Sequence, residues 1–366
     1  MKTYGYGRQS VDEADVQSVV DVLNGDYLTC GPCVKTFEQA ICDYTGAKYC
    51  VAVANATAGL HIAALAAGLG AGDEAITSPI TFLSSSNCIC FSGAKPVFAD
   101  IDPETANIDP DEIERRITAR TKAIIPVHFA GQSCDMGRIA ALAKTHNLIV
   151  IEDAAHAIGS DYKDSKVGSC RYSDMTVFSF HPVKTITTGE GGAVTTNDPA
   201  LYARLCALRA HGVHKDGEMA RTWEYEMREL GYNYRITDIQ CALGISQLKR
   251  LEAFKARRRA IVAYYNEHLG IPHLVERDFS NACFHLYPVL VENRREFYFK
   301  AREAGLNLQV HYIPVHTQPY YRSTFGYKRG DYPKSEEYYE KCISLPLYPS
   351  LTDEDAAEIV ARLKGL

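Results

Sequence analysis

Leu148-Ile149-Val150-Ile151-Glu152-Asp153-Ala154-Ala155-His156-Ala157-Ile158-Gly159 is a short apolar run that ends in a carboxylate and small residues. Its three β-branched residues predict a buried strand that delivers Asp153 at its C-terminal end. Thr176-Val177-Phe178-Ser179-Phe180 repeats the pattern and leads through His181-Pro182-Val183 to Lys184, then to Gly189-Glu190-Gly191-Gly192. Both reactive groups therefore fall just past strand ends, where open α/β sheets bind their ligands. An acid and a lysine converging on one ligand point to Schiff-base chemistry.

Outward from residues 148–197 the chain alternates strand and helix. Strands are expected over 49–54, 75–78, 96–101, 123–129 and 193–196. Helices are expected over 11–24, 34–44, from about 56 to 68, 82–91, 136–146 and 199–210, with Asp109 capping another that starts at Pro110. Repeated βαβα units imply an α/β fold with a mainly parallel sheet and helices on both faces. Residues 211–234 are irregular and hold the only tryptophan, Trp223, as functional or interface segments often do. Apolar spacing from Ile239 through Tyr265 predicts one helix over 237–269, about 50 Å long, bridging two domains. Beyond it strands at 285–291 and 308–313 and helices at 295–304, near 335–342 and at 353–364 make a smaller α+β unit. The expected division is a large domain at 1–236 with its N-terminal segment, a linking helix and connector at 237–282, and a small C-terminal domain at 283–366.

The 366 residues are 46% hydrophobic and 23% charged with a net charge of −6, enough to bury a large core and too acidic for a phosphate-backbone binder. Met1-Lys2-Thr3-Tyr4-Gly5-Tyr6 lacks the apolar core of a signal peptide, and no run approaches the roughly 18 apolar residues of a membrane span. No nucleic-acid or membrane partner is expected, and the cytoplasm is the expected location. Of the twelve cysteines, Cys30-Gly31-Pro32-Cys33 spells a thioredoxin-type tetrad. That chemistry needs a strand immediately before it, whereas Asn24-Gly25-Asp26-Tyr27 reads as a turn. The cysteines are expected to be reduced thiols, and none has zinc-ligand spacing, so no metal is expected.

Pyridoxal 5′-phosphate asks for this combination of groups. Its aldehyde takes a lysine, its ring nitrogen must stay protonated, and its phosphate needs an anion site. A carboxylate about 4 Å from a pyridinium gains roughly 4 kcal/mol of gross Coulomb energy at an effective dielectric of about 20, close to three pKa units. The phosphate can sit where the strand before Asn55 turns into a helix at Thr57 and Ala58, joined by the Ser179 hydroxyl. The same small residues also permit close helix packing, and Asp153 standing alone reads more readily as a helix cap.

Asn55-Ala56-Thr57-Ala58-Gly59-Leu60, Pro79-Ile80-Thr81-Phe82, the runs around Asp153 and Lys184, Gly231-Tyr232-Asn233-Tyr234-Arg235 and His311-Tyr312-Ile313-Pro314-Val315-His316 together resemble the motif set of the DegT/DnrJ/EryC1/StrS sugar aminotransferases. The resemblance covers nearly the whole chain. It implies the fold-type I architecture and a homodimer with shared active sites. It further implies that Lys184 carries the cofactor, that Asp153 partners its ring nitrogen, and that His156 neighbours its phenolic oxygen. Phe82 would stack on the ring. Thr57, Ala58 and Ser179 would hold the phosphate, with Asn233 arriving from the other subunit. Tyr6, Arg235, His311, Tyr312 and His316 are candidates for the sugar and diphosphate, each of which also reads as a structural aromatic or surface residue.

The run from His181 to Gly192, with His285-Leu286-Tyr287-Pro288, is most similar to the UDP-4-keto-6-deoxy-N-acetylhexosamine C4 transaminases of pseudaminic acid synthesis. The implied reaction moves an amino group from L-glutamate to that carbon, with the cofactor in its pyridoxamine form between half-reactions. Rival readings are a C3 or C4 nucleotide-sugar aminotransferase of another deoxyaminosugar pathway and a noncatalytic cofactor-binding regulator. A dehydratase of the same fold would carry histidine in place of Lys184.

Overall fold

The computed structural model describes residues 2–215 and 217–366. Among them the central sheet has seven strands: β1 (Tyr49–Val53), β2 (Glu74–Thr77), β3 (Lys95–Phe98), β4 (Thr121–Ile125), β5 (Ile149–Asp153), β6 (Met175–Ser179) and β7 (Gly192–Thr196). Their spatial order is β1-β7-β6-β5-β4-β2-β3. β7 runs antiparallel to both β1 and β6, and every other pair is parallel. Six strands therefore point the same way, and their C-terminal ends share one edge with the start of β7.

Alternation along the strands explains why both faces are covered. Val51 and Val53 of β1 join Val177, Val194, Leu60 and Leu208 on one side. Cys50 and Ala52 join Phe178, Ala193, Phe37 and Ile41 on the other. The helices begin where local chemistry permits: Asp109 and Asp198 accept amides at the N-termini of Pro110–Arg116 and Pro199–Arg209, each with proline in its first turn. Asp238 accepts the Gly31 and Cys33 amides at 2.8 and 2.9 Å, so the helix Pro32–Thr45 starts on a carboxylate. Burial, with Asp238 adding to it, pushes the Cys33 thiol up, and no strand precedes the tetrad.

The single helix expected over 237–269 is two helices, Asp238–Leu248 and Leu251–His268. At the break Arg250 turns its guanidinium onto the N-terminal segment, bonding Asp12 at 2.9 Å, the Ser10 carbonyl at 3.1 Å and the buried Asp15. Gln247 adds a bond to Asp15 at 2.6 Å. The apolar spacing continues across the break because each helix has its own apolar partner, so periodicity carries no trace of it.

A second core gathers Ile261, Tyr265 and Leu269 of the later helix with two antiparallel strands, Tyr287–Leu290 and Cys342–Leu345, and the helix Asp353–Lys364. Tyr4 is buried in this core, with its hydroxyl 2.8 Å from Asp355 Oδ1 and 2.7 Å from Glu358 Oε2, its one hydrogen shared between the two carboxylates. The first residues thus pack with this C-terminal core, while Gly7 lies against Val183 and residues 10–15 are held by Gln247 and Arg250. The strand expected at 308–313 is limited to Leu306–Asn307 plus a bridge from Gln309 to Ser344. Among the described residues no helix is long and apolar enough to cross a membrane, and no group of acidic, histidine and cysteine side chains could hold a metal ion.

Candidate active site

Glu152 and Asp153 face opposite sides at the end of β5, as neighbouring strand residues must. Glu152 is fully partnered: it accepts from Thr176 at 3.0 Å, from Ser173, and from His128 Nε2 at 2.6 Å. The Cys134 amide donates to His128 Nδ1 at 3.1 Å, which leaves the ring's proton on Nε2 for Glu152. Asp153 turns the other way, 4% exposed. Its Oδ2 accepts from Ser85 Oγ at 2.6 Å and its Oδ1 from the Ala155 amide at 3.1 Å. Burial pushes its pKa up, opposed by those two bonds and by the positive charge of Lys184.

Lys184 follows β6 through a turn closed by its amide on the His181 carbonyl at 2.8 Å. Its side chain is half-buried, and among the described residues its amino group makes no hydrogen bond. Desolvation pulls its pKa down to about 8, against the carboxylate of Asp153. His156 is buried beside it. Tyr312 Oη lies 3.2 Å from its Nε2, while its Nδ1 has no partner. Burial, then the charges of Lys184 and His311, keep this imidazole well below its ordinary pKa and therefore neutral.

Aromatic side chains complete one wall. Phe82 is 59% exposed, large for a phenylalanine, with its ring 6.2 Å from that of Tyr312. His311 stands 4.8 Å from Tyr312 and 5.0 Å from Tyr6, ring to ring, with Nδ1 2.8 Å from Ser344 Oγ. Burial and the Lys184 charge push its pKa down to about 3. These residues arrive from four separate parts of the chain and form one connected group with Asp153 and Lys184.

The anion end is built at the same sheet edge. The helix Ala56–Ala66 starts directly after β1, and Thr57 Oγ1 lies 2.7 Å from Ser84 Oγ. Gly192 is paired with both Val53 and Ser179, and a Cβ there would lie 2.7 Å from the Ala56 amide nitrogen. Only glycine lets β7 come this close to the helix start. Ala58 differs from expectation in one respect: its amide already donates to the Asn55 cap at 2.9 Å. Its approach to an anion therefore competes with that cap.

Three expected residues are placed elsewhere. Arg235 bridges Val53 through its backbone and stands beside the helix start. Asn233 is exposed and bridges Ala210, outside the group formed within one chain. His316 is fully buried under Phe98 and Tyr332, with Nε2 3.0 Å from Glu336, so it is a core residue of another cluster. Sequence reasoning missed Ser85, and it missed His285, buried with its ring 4.5 Å from that of His156. The helical spacing of Thr81 and Ser85, four residues apart, was the one available signal for the former.

Known proteins are similar to this chain over nearly its whole length. Spore coat polysaccharide biosynthesis protein SpsC of Bacillus subtilis is 41% identical over 99% of this chain and 96% of its own. A Campylobacter jejuni UDP-4-amino-4,6-dideoxy-N-acetyl-beta-L-altrosamine transaminase is 37% identical over 96% and 94%. Among solved structures, Helicobacter pylori PseC, an aminotransferase of pseudoaminic acid biosynthesis, superposes with a TM-score of 0.92 at 32% identity, covering 100% of this chain and 99% of that one. The PLP form of the Streptococcus pneumoniae putative sugar aminotransferase Spr1654 does so with 0.93 at 32%, covering 99% and 98%. Residues 9–364 match the profile of one family, and with strands, reactive edge and relatives in agreement the chain belongs to the DegT/DnrJ/EryC1/StrS aminotransferase family.

Proposed function

We propose that this sugar aminotransferase transfers an amino group from L-glutamate to C4 of a UDP-linked 4-keto-6-deoxy-N-acetylhexosamine. The observation that carries the transamination is the pair at the sheet edge, a buried carboxylate beside a lysine whose amino group is free of hydrogen bonds and titrates near pH 8. The choice of sugar rests on the Campylobacter and Helicobacter relatives. SpsC, at a slightly higher identity, supports a second reading, a nucleotide-sugar aminotransferase of another polysaccharide pathway.

Enzymes of this family work with pyridoxal 5′-phosphate, and the residues present fit it. His156 Nδ1 is buried without a partner, the approach of β7 to a helix start is closed to any Cβ, and Asp153 lacks a cationic hydrogen-bond partner. When bound, the cofactor supplies the carbonyl that takes up the amino group and the ring that withdraws electrons from the donor's Cα. Asp153 holds the proton on the ring nitrogen. Lys184 Nζ, neutral in an appreciable fraction near pH 8, takes the Cα proton and returns it on the other side of the transfer. His156, kept neutral by burial, offers its Nδ1 to the phenolic oxygen. Phe82 would cover a ring face, and Thr57, Ala58 and Ser179 would hold the phosphate. Tyr6, Arg235, His311 and Tyr312 are assigned to the sugar and its diphosphate, while His316 is left out because it is buried elsewhere.

Asn233 reaches a site only in a second copy, and a homodimer is part of this reading. Its support is apolar surface: Val16, Leu23, Tyr27 and Leu28 are each about half exposed or more in the single chain. The working domain division keeps the boundaries at 236 and 283, with the first residues moved to the small unit. A cytoplasmic location is part of the same reading, and the twelve free cysteines are compatible with a reducing compartment. The deciding experiment incubates the holoenzyme with L-glutamate and a panel of nucleotide 4-keto-sugars and locates the new amine by NMR. Amination at C3, or turnover of only a sugar without the N-acetyl group, would overturn the substrate assignment.

A further inference from the structure

Ser85 is fully buried, one residue into the short helix Ser84–Phe91, and its hydroxyl leaves its own helix to reach Asp153 Oδ2 at 2.6 Å. Its other acceptors within reach among the described residues are the Phe82 carbonyl, at 3.3 Å, and Thr81 Oγ1, and the charged carboxylate is the strongest of the three. Behind it, Thr81 Oγ1 lies 2.6 Å from Ser85 Oγ and is also buried. A hydroxyl has one hydrogen. With that of Ser85 on Asp153, Thr81 must donate to Ser85, and the chain of donors runs Thr81 to Ser85 to Asp153. The other carboxylate oxygen accepts the Ala155 amide. Each oxygen of Asp153 thus faces a donor, an arrangement that suits the ionised form, whereas a protonated Asp153 would have to turn the Ser85 hydroxyl away toward Thr81 or the Phe82 carbonyl.

We propose that Ser85, backed by Thr81, is a positioning residue of the transamination site: it keeps Asp153 ionised and fixes its carboxylate plane, so that the carboxylate holds a proton on the cofactor's ring nitrogen. This rests on the reading of Asp153 as the partner of that nitrogen. Burial favours the neutral form of Asp153, while Ser85, the Ala155 amide and Lys184 favour the ionised one; His128, whose Nδ1 accepts the Cys134 amide, adds no charge. Cys88 and Tyr312 also lie close enough to feel it, and both are themselves held neutral, their pKa values raised chiefly by burial. Ser85 is the first of the opposing influences, so its removal leaves burial with the least opposition. A neutral Asp153 no longer stabilises a pyridinium.

The test uses holoenzyme loaded with pyridoxal phosphate carrying 15N at the ring nitrogen. In Ser85→Ala the ring resonance is expected to move toward its unprotonated position at a pH where the native enzyme remains protonated. kcat is expected to fall roughly tenfold to a hundredfold, the effect of losing a hydrogen bond to a charged group. KM for the donor should stay within about threefold, because the loss is not one of uniform binding. Thr81→Val, which keeps the shape and removes the hydroxyl, should shift the resonance the same way by less, and it decides the matter should Ser85→Ala not fold. Asp153→Asn separates the two levels. A native-like ring nitrogen in Asp153→Asn sinks the role of Asp153 itself, whereas a changed one there with a native resonance in both hydroxyl variants overturns the relay alone.

Discussion

Gly192 stands directly opposite Ser179 in the ladder between β6 and β7, and its other edge faces Val53 at the end of β1. The residue that starts β7 therefore brings together the strand that leads to Lys184 and the strand that leads to the helix start at Asn55. A Cβ at this position would meet the Ala56 nitrogen at 2.7 Å, the Asn55 carbonyl carbon at 2.8 Å and the Phe178 oxygen at 2.9 Å, all backbone atoms that cannot swing aside.

Gly192→Ala is accordingly expected to destabilise the protein by about 2 kcal/mol, within the range of overpacking a tight interior. Its dissociation constant for pyridoxal phosphate should rise at least about tenfold, because the strain falls on the anion end of the site. Thermal unfolding of the cofactor-free protein and a fluorescence titration with the cofactor measure the two effects. An alanine variant that binds as tightly as the native protein would show that the close approach is incidental.

Lys184→Ala should lower multiple-turnover activity by at least roughly a thousandfold, the scale of a lost acid–base group. Borohydride treatment of the native holoenzyme should fix the cofactor on Lys184, read by peptide mass, and leave the variant unlabelled. Full activity in the variant would end the mechanism given above.

The lysine also carries a pH signature in the cofactor-free protein. Its pKa is about 8 when folded against 10.5 for the free side chain, so between those values the unfolded chain binds more protons than the folded one. Stability on this account is lowest below pH 8 and rises as the pH climbs toward 10.5. The shift corresponds to roughly 3 kcal/mol, and with a discount for the partial exposure of the side chain Lys184→Met should be more stable than the native apoprotein at pH 7 by about 2 kcal/mol, with the gap closing above pH 8. Denaturant unfolding at pH 7 and pH 9 tests the sign. A gap that widens with pH contradicts it.

Val16, Val20 and Leu23 lie on one stripe of the helix Glu13–Leu23 at helical spacing, and all three are exposed. Val16→Asp with Leu23→Asp should leave folding of the chain intact, since neither side chain is buried in it, while weakening self-association by at least about tenfold. Sedimentation velocity across a dilution series reads the change. A dimer of unaltered affinity would place the interface on another surface.

Much of this architecture is legible in the order of residues, for identifiable reasons. β5 and β6 are mostly apolar because they are covered on both faces, and the reactive side chains stand at or just past their ends, so strand and site are read together. The break at Arg250 is not legible, because it is made by Asp12 and Asp15, far away in sequence. His316 misleads for the same reason: the rings that bury it belong to Phe98 and Tyr332. Ser85 hides differently. A serine in the first turn of a helix normally serves that helix, and only the fold shows its hydroxyl aimed at Asp153.

The placement of β7 between β1 and β6 has a consequence for the growing chain. β1 has no neighbour in the sheet until β7 exists, since β7 is its only partner there. The segment ending at Val53 must wait while everything up to Thr196 leaves the ribosome, a closure of high contact order. A nascent chain can pair β2 through β6 before then, and so display the acid of the site. Its anion-binding end is the last part to form.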